Sequence, residues 1–330
     1  MGHNELLNLI NLMKKELIII KDFEKDQFSK EKKIFSNKYI LIKRLKTMIF
    51  FMLFLVLISV ISNKSYENSY YKTDKIRITY LRRKYGSFLK HLPNYNHSYI
   101  TNKTIFWCWF KGLNNITKLG LSSLNSIKKN LKDYNLIIIN DSNIKDYVNI
   151  PKYIMDKYKT GKMTPTHFSD ILRLELLNKY GGTWIDASVL ITKYEPRFYD
   201  NILFFFGSKS DEGCVGSSWF ITSEKGSPIL KTTLDLLYEY WKKNEKLYNY
   251  FLLHLFIKMA CDKYKDDYNK VLFISNQAPH ILQKNLKNKF NKTLYNIILD
   301  NSSVHKLTIH VKNEEFKNDT FYSHIIKEYY

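Results

Sequence analysis

The stretch that most restricts the fold runs from Thr164 to Ser188 and reads TPTHFSDILRLELLNKYGGTWIDAS. Pro165 early and Gly181 late bracket a helix of about 14 residues. Gly181-Gly182 then turns the chain straight into a strand, Thr183-Trp184-Ile185, which Asp186 ends. Apolar residues cover much of the helix circumference, which predicts packing on more than one side. Asp170 and Arg173 are three apart and so share one face. A carboxylate and a guanidinium in such surroundings must be paired with each other or bound to something else.

The preceding hundred residues alternate in the way a layered α/β fold requires. Ile105 to Phe110 is a short apolar run closed by Lys111-Gly112, a buried strand. Leu121, Leu124, Ile127 and Leu131 keep helical spacing, and Leu136 to Ile139 forms a second strand ending at Asn140-Asp141. Strand, helix and strand of these lengths predict a parallel pair with a right-handed crossover. Ligands of such sheets bind outside the carboxyl ends of the strands, where Asn140, Asp141 and Asp186 stand.

The first hundred residues differ in character. Thr47 to Ser62, TMIFFMLFLVLISVIS, carries no charge, though it is shorter than the roughly 20 residues that span a typical bilayer. Its large apolar side chains surround the whole circumference, which predicts a single membrane-spanning signal anchor in contact with lipid. Lys and Arg are denser on its N-terminal side, which predicts a cytoplasmic N-terminus and an outward C-terminal domain. The division expected is a basic helical tail at 1–46, the anchor at 47–62, a polar stem at 63–103 and one folded domain at 104–330. The net charge is +21, and residues 1–100 hold 19 Lys/Arg against 8 Asp/Glu. That excess beside an apolar segment suits an anionic lipid surface. No zinc-finger spacing, RNP-like aromatic pair or helix-turn-helix accompanies it, so a nucleic-acid partner is not expected. The three cysteines, Cys108, Cys214 and Cys261, form no CxxC pair and allow at most one disulfide.

The central segment can do a particular chemistry. A diphosphate leaving group needs a cation or basic groups to neutralise it as it departs. A carboxylate at the end of a central strand can hold Mn²⁺ or Mg²⁺ through oxygen ligands. A second carboxylate on the adjacent helix can bind sugar hydroxyls, with an arginine beside it to steady sugar or phosphate.

SDILRLELLNKYGGTWIDASVLIT resembles the sugar-binding region of the capsular-polysaccharide-synthesis glycosyltransferases, relatives of glycosyltransferase family 32 and of the DXD-containing glycosylating toxins. Ser-Asp-x-x-Arg, an apolar helix, Tyr-Gly-Gly and a closing Asp carry the likeness. The tryptophan-rich run at 105–112, the pair Tyr240-Trp241, the stretch Tyr250 to His254 and Ser303 to Thr308 are similar to flanking parts of that family. The resemblance implies a GT-A-type α/β fold, a Rossmann-like mixed sheet flanked by helices. It also implies a nucleotide-sugar donor, a glycan or polysaccharide acceptor, a divalent metal and retention at the anomeric carbon. By the same likeness, Asp170 and Arg173 contact the donor sugar and Asp186 serves metal and diphosphate. Trp107 lies near the base, Gly181, Gly182 and Ser188 belong to the donor site, and His305 and Lys306 close over the diphosphate, with His305 a metal ligand. Strict DXD enzymes have a second Asp where this chain has Ser188. That departure motivates the alternative, a membrane-tethered sugar-binding protein without turnover.

Overall fold

A computed structural model describes residues 45–47, 49–50, 74–207, 215–308 and 318–330. Of the expected membrane anchor, residues 48 and 51–62 lie outside the described residues, as does Cys214. Among the described residues no helix is long and apolar enough to cross a membrane. Cys108 and Cys261 are buried free thiols.

Residues 70–330 form one compact unit. Its strands are β1 (Thr104–Cys108), β2 (Asn135–Ile139), β3 (Gly182–Ile185), β4 (Val189–Ile191), β5 (Leu203–Gly207), β6 (Gly216–Ser223) and β7 (Val304–Lys306). The helices of eight residues or more are α1 (74–91), α2 (Lys118–Asn130), α3 (Lys152–Lys159), α4 (Pro165–Tyr180), α5 (Pro228–Lys243), α6 (Leu252–Lys263), α7 (Lys292–Asn301) and α8 (Phe321–Tyr329). Five strands make the main sheet in the order β2-β1-β3-β6-β5, and β4 pairs with β7 separately. β1 is parallel to β2 and β3, as strand, helix and strand predict, whereas β6 runs antiparallel to both its neighbours. The result is a mixed α/β fold with a mostly parallel sheet.

The sheet is buried on both faces because β1 is apolar in both registers. Phe106 and Cys108 join a core with Ile171, Leu174, Trp184, Ile221 and residues of α5 and α6. Ile105 and Trp107 point the other way, into a second core with Leu124, Ile185, Phe204, Phe206 and Phe220. Helix α4 begins where the sequence predicts. The Thr164 hydroxyl accepts from the His167 N–H, Pro165 opens the first turn, and Gly181 closes the helix at φ 71°. Gly182 follows at φ 100°, where a Cβ would lie 2.5 Å from the Thr104 carbonyl oxygen. Only glycine fits there, since β3 must leave the helix and enter the sheet beside β1 without a spacer.

Part of the stretch expected as a stem belongs to the folded unit. Ile78, Leu81 and Tyr85 of α1 are fully buried in the first core. Their spacing of three and four residues is one helical stripe, hidden in the sequence among outward-facing Arg82, Arg83 and Lys84. At about 2 kcal/mol for each buried side chain, this stripe contributes an amount comparable to the net stability of a domain. A chain cut at residue 104 would lose it.

Residues 92–103 then cross the body as a polar strap. The Tyr95 hydroxyl donates to Asp235 Oδ2 at 2.6 Å, and the Lys225 N–H donates to the Ile100 carbonyl at 2.8 Å. His97 bridges two carboxylates, with Nδ1 on the fully buried Glu224 and Nε2 3.1 Å from Asp267. Burial lowers the basicity of this ring, but the bonds to Glu224 and Asp267 outweigh it and hold its pKa above the ordinary 6.5. A raised histidine pKa stabilises the fold fully below the unfolded value, and that stability is lost as pH rises through the folded value. The melting temperature of the full chain should therefore exceed that of His97→Gln at pH 6 by a few degrees, on the order of 1 kcal/mol. The gap should shrink by pH 8.5, and thermal melts showing it constant would refute the bridge.

Candidate active site

The carboxyl ends of β1, β2 and β3 open on one edge of the sheet. Helix α4 runs back antiparallel to β3, so its first turns, which carry Asp170 and Arg173, arrive at the edge where β3 ends in Asp186. β6 is antiparallel and therefore brings its early residues, Ser218 and Trp219, to the same edge. The Asp186 N–H donates to the Trp219 carbonyl at 2.9 Å, which fixes the carboxylate just beyond the strand.

Arg173 lies at the bottom of this arrangement, only 3% exposed. Its Nε donates to the Ser169 carbonyl at 3.0 Å, Nη2 to the Ser169 hydroxyl at 2.8 Å, and Nη1 to the Ser218 carbonyl. Asp170 Oδ1 stands 3.2 Å from Nη2, and Asp186 Oδ1 stands 3.6 Å from Nη1. The guanidinium also lies over the Trp184 ring, 5.1 Å from its centroid. Trp184 in turn donates its Nε1–H to Asp186 Oδ1 at 2.8 Å. All three side chains expected to converge do so.

The fourth member comes from the far end of the chain. β4 and β7 pair so that Val189 faces Lys306, and Lys306 Nζ reaches Asp186 Oδ2 at 3.3 Å and the Ser188 hydroxyl. The side chains of Asp186 and Lys306 are 23% and 21% exposed. These two reach solvent, and Arg173 is shielded from it.

The two carboxyl groups are driven apart in acidity. Burial pushes Asp170 up to about 7 and the nearby Asp186 charge adds to this, against the opposing pull of Arg173. Burial also raises Asp186, but Arg173, Lys306 and the Trp184 N–H overcome it and hold this carboxyl below the usual range. Near neutrality one carboxylate is charged and the other can hold or lose its proton.

Four expected residues are not where the resemblance implies. Trp107 is fully buried in the second core, so it offers no face to a base. Trp109, just past β1, is half-buried with an unpartnered Nε1–H and stacks on Trp107 at 6.5 Å. It is the tryptophan that a ligand at this edge could meet. Gly181 and Gly182 stand at the opposite end of β3 from Asp186, Gly182 about 13 Å away at strand rise, and serve the turn rather than a donor. His305 is fully buried, and its neighbour Lys306 faces the carboxylate, so the alternation of a strand turns the imidazole to the other side. There its Nε2 lies 3.3 Å from the Thr192 hydroxyl. Burial pushes it down to about 4.

A divalent ion fits this donor set poorly. Among the described residues no group of three His, Cys, Asp or Glu side chains could hold one. The oxygens of Asp186 already face Trp184, Arg173 and Lys306, and Asp170 is turned to Arg173.

One further residue was not singled out from the sequence. His254, in the first turn of α6, has a solvent-shielded Nδ1 with no partner. Its ring is pushed down to about 4 by burial and then by the Arg173 cation, with Asp186 opposing. A histidine interrupting the apolar run Leu252 to Ile257 is the available signal. Asp141, at the end of β2, accepts from the Tyr158 hydroxyl at 3.0 Å and borders the same edge.

A family model described as "Capsular polysaccharide synthesis protein" matches residues 56–325. Two solved structures are similar to the chain. The PaToxG glycosyltransferase is 22% identical at TM-score 0.35, over 57% of this chain and 80% of that one. The glycosyltransferase GlyE of Streptococcus pneumoniae TIGR4 is 10% identical at TM-score 0.37, over 69% of this chain and 60% of that one. No curated protein matches the chain.

Proposed function

We propose, from the premise that this chain belongs to the capsular polysaccharide synthesis protein family, that it moves a sugar from a nucleoside-diphosphate donor to a glycan or polysaccharide acceptor. The observation that carries the reading is the meeting of Asp170, Arg173, Asp186 and Lys306 at the carboxyl edge of the sheet. In this reading the sheet is a GT-A-type nucleotide-sugar fold, and Trp109 stacks on the base. Ionised Asp170 accepts hydrogen bonds from sugar hydroxyls, and Arg173 holds both carboxylates in register. The bond from the anomeric carbon to the β-phosphate oxygen breaks and its electron pair leaves with the phosphate. The acceptor hydroxyl oxygen bonds to that carbon on the same face, with retention, and its proton passes to the departing diphosphate. The reading keeps a lipid-embedded anchor at 47–62 and a cytoplasmic N-terminus, which protease protection in sealed vesicles tests.

The experiment is a screen of uridine- and guanosine-diphosphate hexoses with the full chain in detergent, reading nucleoside diphosphate released to water or to an oligosaccharide. Since ionised Asp170 accepts hydroxyl hydrogen bonds at both oxygens and more strongly than its acid form, kcat/KM should rise with pH, with a midpoint near the value of about 7 set by burial. Asp170→Asn should lower kcat/KM by about 100-fold and abolish that limb. Binding of a donor with no release at any pH would instead identify a sugar-nucleotide-binding protein.

A further inference from the structure

The cation at this site is part of the polypeptide. A divalent ion of the magnesium or manganese kind seeks about six oxygen ligands at close to 2.1 Å. Here the carboxylate oxygen that would receive it, Asp186 Oδ2, is 3.3 Å from the Lys306 ammonium. Asp186 Oδ1 takes the Trp184 N–H at 2.8 Å and lies 3.6 Å from Arg173. The position that could add a second carboxylate is Ser188, whose hydroxyl is also bonded to Lys306. His305 faces away. A metal seated on Asp186 Oδ2 would share that oxygen with the ammonium, and two cations on one carboxylate oxygen repel each other. The β4–β7 pairing sets Lys306 opposite Val189, and the Leu307 N–H donates to the Ser188 carbonyl at 2.7 Å, so the lysine backbone is locked beside the carboxylate.

We propose that Lys306 takes the place of a divalent metal ion in this site and that sugar transfer proceeds without one. This rests on the reading of the site as a nucleotide-sugar site. As the carbon–oxygen bond to the diphosphate breaks, the electron pair collects on a β-phosphate oxygen, and the Lys306 ammonium, held by Asp186 and Ser188, neutralises it. The acceptor oxygen takes the carbon and its proton goes to the diphosphate, so no co-reactant is required.

The test uses the full chain in detergent, stripped of metal by a chelating resin, with the diphosphate hexose that gives release in the screen. Release in EDTA should stay within about twofold of release in millimolar Mn²⁺. Lys306→Ala should lower kcat by about 100-fold in EDTA, and Lys306→Arg should recover part of it. Electron paramagnetic resonance should show that full chain plus uridine diphosphate sequesters no more Mn²⁺ than uridine diphosphate alone. Release silenced by EDTA and restored by Mn²⁺, or a Mn²⁺ signal specific to the protein, overturns this inference and leaves the functional reading standing. Absence of release and of binding with every donor, with metal or without, overturns that reading and this inference together.

Discussion

Asp186→Asn should lower kcat by about three orders of magnitude while the protein still folds. Three orders correspond to about 4 kcal/mol of transition-state stabilisation, the size expected when a charge that organises the cation facing a developing phosphate anion is removed. The amide keeps the shape of the side chain and can still accept from Trp184 Nε1 and face Arg173. It no longer anchors the Lys306 ammonium, whose other partner is the Ser188 hydroxyl. Arg173 retains Asp170, Ser169 and the Ser218 carbonyl. The loss should therefore appear in kcat more than in KM, with a melting temperature within a few degrees of the parent. Unchanged turnover in Asp186→Asn would remove this carboxylate from the chemistry.

Arg173→Met should do the opposite, striking stability first. Its guanidinium is the shared cation between two carboxylates and is almost wholly shielded from water. Removing one partner from such a cluster costs about 3–5 kcal/mol, because the remaining charge stays buried without compensation. For a unit of this size that corresponds to a drop of roughly ten degrees in melting temperature. Arg173→Lys should rescue little, since Nε, Nη1 and Nη2 each hold a separate acceptor and a lysine presents one compact charge. The deficit should ease in acid, where Asp170, already raised toward neutrality, takes up a proton. A methionine variant that melts like the parent would mean that the two carboxyl groups do not need this cation.

Much of the site's frame is legible in the residues because local rules act there without competition. The Thr164-Pro165 start, the double glycine and the short apolar strand admit few arrangements, and the three charged side chains follow from helix spacing and strand length. What escapes is decided by which face each element covers. The run from Ile105 to Phe110 holds two tryptophans on the same face, yet β1 ends at Cys108, so Trp107 is sealed in the second core while Trp109, beyond the strand, lies half-buried at its rim. His305 and Lys306 are adjacent, and one step of the same alternation separates a core residue from a site residue. The buried stripe of α1 is camouflaged by basic neighbours, and its partners lie more than a hundred residues away on α5 and α6. His254 needs the packing of α6 against β6 before its neighbourhood can be seen.

Lys306 joins Asp186 across 120 residues of intervening chain. During synthesis the strands and the acidic half of the cluster leave the ribosome long before the lysine that completes it. On the proposed reading, a product terminated between β6 and Lys306 would own the whole five-stranded sheet and still lack the cation that faces Asp186.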